Sequence, residues 1–333
     1  MSTELIEQKL ALPAESDTSS SAESGSQQAD SIERVRTLQG SASDPQEPLE
    51  IPVLTDKVVN VATVPQRSPL RYPGGKTWLV PQIRKWLKDL EFRPRIMVEP
   101  FAGGGIASLT AVMEGLVERA ILCERDPEIA NFWFCALEHS ELLATRVECF
   151  NLTEENVAEV FNSHSLSRMD LAFQTLLKNR INRGGILAKG ASRMKKGENG
   201  NGLRSRWYPK TIAERIRAIG SVSGQIQFFQ GDGIGLIDLC QLEASAGFFV
   251  DPPYTAAGKR AGSRLYEYNE IDHSLLFERM SVVHGAFLMT YDENKDVIDL
   301  ARHWDFHLAK VPMKNTHHAV QYELLITSHE LHT

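Results

Sequence analysis

Apolar and polar residues along most of this 333-residue chain fall into two kinds of block. Short apolar runs, typical of buried strands, are separated by longer stretches in which apolar residues recur every three or four positions, as in helices. Helices are predicted over residues 106–115 and 153–180, among others. This alternation predicts a doubly wound α/β fold with a mostly parallel sheet. Strands are predicted over residues 95–101, 119–126, 226–232, 247–254, 286–292 and 322–328.

The N-terminal segment does not follow this pattern. Residues 1–65 are rich in Ser, Glu, Gln, Asp and Ala, and they hold too few apolar residues to offset the entropy lost on ordering. Residues 1–66 hold eleven acids and four bases, so this segment carries a net charge of -7. The whole chain also carries a net charge of -7, so the remaining residues are neutral overall. We therefore predict a disordered acidic tail over residues 1–65.

Basic residues are concentrated in one interval that interrupts the strand–helix alternation. Residues 178–217 hold twelve Lys or Arg against two acids, together with several glycines. Lys and Arg neutralise phosphates, while Arg and Asn side chains can read base edges. A solvated charged face is the alternative, but the interval's position favours nucleic-acid binding. We predict an inserted, mainly helical domain over residues 151–225, and a second domain formed by residues 66–150 and 226–333.

A glycine cluster joins the first predicted strand to the next helix in the stretch VEPFAGGGIAS. Gly103 and Gly105 allow a sharp turn and a close approach of the backbone to a ligand. The spacing departs from the GxGxxG dinucleotide motif, so a purely structural turn is the alternative. Glu124 ends the second strand, where an acid typically accepts hydrogen bonds from a ribose. Asp126 is interpreted as a helix cap, and the two signals together favour a nucleoside-bearing ligand.

The stretch VDPPYTAAG ends a buried strand with an acid on a rigid turn. Asp251 and the carbonyl of Pro252 offer two hydrogen-bond acceptors, and Tyr254 offers a ring for stacking. Two acceptors beside a ring suit the exocyclic amine of a heterocyclic base. Accepting its hydrogen bonds would prepare the amine to attack an electrophilic methyl group, without a metal and without a protein nucleophile.

These motifs together resemble a known family of enzymes. DPPY, preceded by EPFAGGG and SPLRYPGGK, is similar to the Dam-like N6-adenine-specific DNA methyltransferases over residues 68–328. The resemblance implies a Rossmann-like, class I methyltransferase fold, S-adenosyl-L-methionine as methyl donor and duplex DNA as substrate. It makes the inserted segment the target-recognition domain and the outer segments the catalytic domain. Because a base inside a duplex is out of reach, it also implies that the adenine flips out of the helix.

The resemblance assigns roles to particular residues. The catalytic residues would be Asp251, Pro252, Pro253 and Tyr254. The stretch RYPGGK departs from many relatives, which carry a tryptophan–alanine pair before GGK. For Asp232, the alternative to a cofactor contact is a purely structural acid in a turn. Trp207 and Tyr208 are as consistent with local core packing as with DNA contact. The implied cofactor-binding residues are Tyr72, Gly75, Lys76, Phe101, Gly103, Gly105, Glu124, Asp232 and Asp251, and the candidate DNA contacts are Arg180, Asn182, Arg183 and Arg206.

Several alternatives and partners stay open at this point. An RNA adenine methyltransferase, a catalytically inactive DNA-binding protein and a cytosine amino methyltransferase are the competing hypotheses. The family also allows a cognate restriction endonuclease as a partner. The four cysteines lack metal-binding spacing, and no apolar run is long enough to cross a bilayer, so neither a metal nor a membrane is expected. The acidic N-terminus lacks a signal-peptide pattern, and a cytoplasmic location is therefore expected.

Overall fold

The strands form one mixed sheet. The computed structural model describes residues 50–71, 74–163, 167–195, 200–253, 271–314 and 320–331. Within these residues the sheet has seven strands in the order β3-β2-β1-β4-β5-β7-β6, and only β7 runs antiparallel to its neighbours. The strands are β1 (Ile96–Glu99), β2 (Arg119–Glu124), β3 (Ile226–Gln230), β4 (Ala246–Val250), β5 (Ala286–Asp292), β6 (His307–Lys314) and β7 (Val320–Thr327).

Helices cover the sheet on both faces, as the alternating pattern predicts. The α-helices of the described residues are α1 (Val80–Asp89), α2 (Ile106–Met113), α3 (Pro127–Glu138), α4 (Ser140–Cys149), α5 (Glu154–Asn162), α6 (Arg168–Ile181), α7 (Pro209–Ser221), α8 (Gly233–Cys240), α9 (His273–Ser281) and α10 (Lys295–His303). The doubly wound sheet with its antiparallel seventh strand has the Rossmann-like architecture of class I methyltransferases, which confirms the predicted fold class.

The central strands are buried throughout, which explains their continuous apolar sequences. Every residue of β1 and β4 is buried. Because side chains alternate along a strand, Met97 of β1 joins the core on one face while Val98 joins the core on the other. A sheet covered on both faces reads as an unbroken apolar run, as AGFFV does.

The helices of the basic interval share the core of the sheet. Helix α6 packs on α3, and α7 packs on α4. Phe173 and Ile216, which belong to the predicted inserted segment (residues 151–225), lie in the same apolar cluster as Met97. The predicted inserted segment is therefore mainly helical, but the structure packs it as a continuation of one helical layer rather than around a core of its own.

Residues 50–64 differ from the predicted disordered tail. Leu54 donates its backbone N–H to Lys310 of β6 at 3.0 Å, and Lys310 donates to the carbonyl of Pro52 at 2.8 Å. Val64 is buried and packs with Ile106. These contacts extend the folded region to residue 50, ahead of the predicted boundary at residue 66, while residues 1–49 lie outside the described part of the chain.

Among the described residues, no helix combines the length and the apolar character needed to cross a membrane.

Candidate active site

The DPPY turn begins where β4 ends. Strand β4 lies between β1 and β5, and Val98 of β1 pairs with Phe248 of β4 in parallel register. The residues after β1 and β4 therefore leave the sheet at the same edge, where open α/β sheets bind ligands. Asp251 is about one-fifth exposed, and its Oδ1 accepts a hydrogen bond from Thr290 Oγ1 of β5 at 2.8 Å. The structure thus brings Asp251 and the glycine loop to one edge.

Lys76 of the GGK turn joins this group. Its ammonium lies 2.8 Å from Oδ1 of Asp251 and 3.0 Å from Oε1 of Glu323, and it is only 3% exposed. It also donates to the carbonyl of Gly74 at 3.0 Å. Burial opposes the positive charge, but the two carboxylates outweigh burial and raise the pKa of Lys76 above its ordinary value. The lysine is therefore charged at neutral pH. Lys76 also begins a 3₁₀ turn (Lys76–Leu79), and Gly75 directly precedes this turn.

The glycine loop follows β1 and is locked by a tryptophan. Gly103 and Gly105 have φ values of 47° and 64°, in the left-handed region that favours glycine. Trp133 of α3 is fully buried and donates its indole N–H to the carbonyl of Gly103 at 2.9 Å. A Cβ at Gly105 would lie 2.5 Å from the Trp133 ring. Phe101 is partly buried and meets Gly233 at the start of α8.

Glu124 is tied to the same loop. Its Oε2 accepts from the backbone N–H of Gly103 at 2.9 Å, and its Oε1 accepts from that of Asp126 at 3.0 Å. Each carboxylate oxygen can accept a second hydrogen bond, so Glu124 could also hold a diol at this edge. Burial raises the pKa of Glu124 to about 7. Asp126 caps α3 through the N–H of Glu128, as predicted.

Asp232 caps α8 in the same way. Its carboxylate accepts from the backbone N–H of Gly235 at 3.1 Å, which is the geometry of a turn acid. Asp232 follows β3 by two residues, and its side chain is partly exposed. The helix cap is its structural role, and a contact with a ligand stays a prediction.

Sequence reasoning missed Glu99, the last residue of β1. The side chain is 3% exposed, and its Oε2 accepts from the backbone N–H of Ser108 at 2.9 Å. Burial raises the pKa of Glu99 to about 7, and the charge of Asp251 adds to the shift. The signal was present, because VEPF repeats the pattern of VDPP: an acid that ends a buried strand before a proline.

Two predicted site residues cannot be placed. Tyr72 and Tyr254 lie outside the described residues, as do His317 and His318, which the sequence favours as hairpin loop residues rather than ligands. Pro252 is buried and Pro253 is partly buried beside Asp251. Among the described residues, no cluster of His, Cys, Asp and Glu could hold a metal ion.

Comparison with known families decides the family of this chain. The sequence profile of the D12 class N6 adenine-specific DNA methyltransferases matches residues 72–311, well over half of the chain. The chain belongs to this family. It is therefore an adenine-specific DNA methyltransferase, in agreement with the resemblance drawn from DPPY and PGGK.

Three solved structures similar to this D12-class methyltransferase share little sequence with it. They include a Pyrococcus horikoshii protein described as an RNA methyltransferase (9% identity, covering 80% of this chain and 92% of that chain, TM-score 0.37). The rRNA methyltransferase aviRa of Streptomyces viridochromogenes shares 12% identity over 75% of this chain and 84% of its own, with a TM-score of 0.34. The precorrin-6y C5,15-methyltransferase of Geobacter metallireducens shares 10% sequence identity. The similarity covers 86% of this chain and 100% of that chain, with a TM-score of 0.34. No curated protein matches the sequence.

The candidate DNA contacts of the methyltransferase differ in their exposure. Arg183 is exposed and Arg206 is partly exposed. Arg180 and Asn182 are each 5% exposed, and both side chains donate to backbone carbonyls, those of Pro69 and Ile186. Arg180 and Asn182 therefore lie in the interior. A direct contact with DNA would require them to move.

Trp207 and Tyr208, which follow the 3₁₀ turn Gly202–Arg206, differ in burial. Trp207 is buried against the rings of Phe150 and Phe173, so it forms local core. Tyr208 is 53% exposed and donates its hydroxyl to the carbonyl of Ser205 at 2.8 Å.

The raised pKa of Glu99 predicts a pH-dependent stability. A carboxyl whose pKa is higher in the folded than in the unfolded state favours folding below pH 4.5, and this contribution is lost as the pH rises through about 7. We expect Glu99 to contribute a loss of about 3 kcal/mol in the free energy of unfolding across this window. Urea unfolding of wild type and E99Q between about pH 5 and pH 8 measures the difference, because a glutamine does not titrate.

The control for this measurement is E114Q. Hydrogen bonds from Arg84 and Arg67 lower the pKa of Glu114, so its contribution to stability is lost only as the pH falls below the window. E114Q should keep the slope of the wild type. Equal slopes for wild type and E99Q would show that Glu99 does not titrate in the folded protein.

Proposed function

We propose that this enzyme transfers the methyl group of S-adenosyl-L-methionine to the N6 amine of an adenine at specific sites in duplex DNA. The observation that carries the proposal is the position of Asp251, which follows β4 beside the glycine loop and lies 2.8 Å from Lys76. A carboxylate at this edge can accept a hydrogen bond from an amine while a ligand occupies the adjacent loop.

The residues around the glycine loop suit S-adenosylmethionine. Glu124 has acceptor capacity for the ribose hydroxyls, and Asp232 lies at the neighbouring strand end for the adenine amine. Gly103 and Gly105 give a backbone without side chains, beside Phe101. When bound, S-adenosylmethionine supplies an electrophilic methyl group on a sulfonium. The remaining predicted contacts, Tyr72, Gly75 and Lys76, lie in or beside the GGK turn.

Asp251 would act on the amine of the target base. Its carboxylate and the carbonyl of Pro252 would accept the two N–H groups and direct the nitrogen lone pair toward the methyl group. As the new N–C bond forms, positive charge develops on the nitrogen, and the negative charge of Asp251 stabilises it. The bond between this methyl group and the sulfur of S-adenosylmethionine would break as the N–C bond forms, so that S-adenosylhomocysteine leaves and the nitrogen loses a proton to solvent. Pro253 would keep the turn rigid, and Tyr254 would stack on the base.

Partly exposed arginines around the buried Arg180 support binding of the DNA backbone. These are Arg71, Arg206 and Arg215. Burial and the charges of Arg215, Arg71 and Arg206 lower the pKa of Arg180 to about 9. Among the described residues, Nη1 of Arg71 and Nε of Arg180 are buried without a hydrogen-bond partner. Like charges repel unless an anion balances them, so a phosphate of bound DNA suits this group.

Arg183 tests the electrostatic part of the proposal. It is an exposed side chain at the end of α6, and R183Q is expected to weaken DNA binding and to reduce the slope of log K against log salt by about 1. Binding of a fluorescent duplex at several salt concentrations measures both. R93Q is the matched control, because Arg93 is exposed before β1, at the opposite edge of the sheet. Equal slopes for R183Q and R93Q would remove Arg183 from the DNA interface.

The remaining parts of the proposal follow from the substrate. The target adenine would flip out of the duplex to reach Asp251. A cytoplasmic location and a cognate restriction endonuclease belong to the same proposal.

The test is methyl transfer by the full-length protein. Duplex DNA and structured RNA are each incubated with tritiated S-adenosylmethionine, and the labelled nucleosides are separated by mass. N6-methyladenine from DNA supports the proposal. Label in RNA alone, in N4-methylcytosine alone or in neither substrate would contradict it.

A further inference from the structure

Glu323 is a buried carboxylate that the reaction described above does not use. It lies in β7, opposite Asp292 of β5, and is 3% exposed. Its Oε1 lies 3.0 Å from the ammonium of Lys76, on which Asp251 also converges at 2.8 Å. Buried carboxylates are costly unless they are paired, so the ion pair with Lys76 compensates for the burial of Glu323.

The three side chains form a group with one positive and two negative charges. If Lys76 faced Asp251 alone, the ammonium would neutralise that carboxylate and weaken it as an acceptor. Because Glu323 contacts the same ammonium, the positive charge is shared between two carboxylates. Asp251 then keeps more of its negative charge toward the open edge of the sheet.

We propose that Glu323 is a positioning residue for methyl transfer. It holds Lys76 in place and, by sharing the lysine's charge, sets how strongly Asp251 accepts the target amine. The inference rests on the proposed function, since it acts through Asp251. Glu323 lies at the far end of the sequence from Lys76, and the antiparallel insertion of β7 beside β5 brings the two together.

Two substitutions separate charge from shape. E323Q keeps the size of the side chain and removes its charge, while E323D keeps the charge and shortens the side chain. We expect E323Q to lower kcat for DNA methylation by about tenfold, with the KM values for DNA and S-adenosylmethionine changed less than about twofold. E323D should lie closer to wild type. A purely structural role predicts the reverse order, and that order would overturn the inference.

A matched control is E293Q. Glu293 pairs with Lys310 at 2.6 Å but is about half exposed. This variant also loses a carboxylate paired with a lysine, and its kcat should stay within about twofold of the wild type.

A double-mutant cycle shows whether Glu323 acts through Lys76. In the K76Q background E323Q should have no further effect on the single-turnover rate at saturating substrates, because the shared charge is already absent. An additional tenfold loss in K76Q/E323Q would overturn the inference. If E323Q alone does not fold, the comparison of K76Q with K76Q/E323Q, which removes both charges, still decides it.

These experiments distinguish the two proposals. Failure of the wild type to methylate adenine in DNA contradicts the proposed function. A wild type that methylates adenine, together with an E323Q variant of unchanged kcat, contradicts only the role of Glu323.

Discussion

Replacement of Asp251 by asparagine is expected to lower kcat for adenine methylation by about a thousandfold. Asparagine has nearly the same shape, so it can still meet Thr290 and Lys76. It lacks the negative charge that would stabilise the positive charge developing on the target nitrogen. Its amide can also present an N–H to that amine where the carboxylate presents only acceptors.

The variant should still bind S-adenosylmethionine. Apart from Asp251 itself, the residues expected to hold the methyl donor, such as Glu124 and the glycine loop, lie at the ends of β2 and β1 rather than of β4. Lys76 keeps a partner in Glu323 at 3.0 Å, so D251N leaves no buried ammonium unpaired. We expect titration calorimetry to give a dissociation constant for the methyl donor within about tenfold of the wild type.

D292N is the control for this variant. Asp292 ends β5, the strand next to β4, and its side chain is exposed. The D292N variant should methylate DNA at nearly the rate of the wild type in the same tritium assay. A D251N rate within about tenfold of wild type would mean that Asp251 is not the acceptor of the amine.

The second large effect is expected at Gly105. A Cβ at this position would lie 2.5 Å from the Trp133 ring and 3.2 Å from the Leu122 side chain, and the backbone has a φ of 64°. Trp133 cannot move aside easily, since it is fully buried and hydrogen-bonded to the carbonyl of Gly103. G105A should therefore lose about 3 kcal/mol or more of unfolding free energy, from overpacking and from backbone strain.

Gly115 gives a matched comparison for this loss. It has the same φ of 64°, but a Cβ there would have no heavy atom within 4 Å. G115A should lose only about 1 kcal/mol, the cost of the left-handed backbone. Urea unfolding of both variants, with an unchanged m-value, measures the difference. Losses of equal size would show that the Trp133 contact adds nothing to the backbone strain.

The six predicted strands all exist, because parallel strands buried on both faces leave a distinct apolar run. Strand β6 was missed, since HLAKVPMK contains a proline that argues against a strand. The structure places β6 at the edge of the sheet, where a missing N–H is tolerated. Residues 50–64 were assigned to the tail because their contacts, such as that of Leu54 with β6, are long-range and local composition does not report them.

The candidate site was predictable to the extent that strand ends define it. Glu124 ends β2 and Asp251 directly follows β4, and the order of strands in a doubly wound sheet brings such strand ends together. Glu323 could not be found in this way, because its contact with Lys76 depends on the register of β7. Arg180 and Arg183 stand three residues apart in one basic run, and only the packing of α6 shows that the first is buried and the second exposed.

The contact between residues 52–54 and β6 also bears on how copies of this enzyme meet one another. An outermost strand offers a template on which a second molecule can add its own strand. Here the backbone around Lys310 is already bonded to Pro52 and Leu54 of the same chain. Strand exchange between molecules is therefore blocked at that point of the sheet margin.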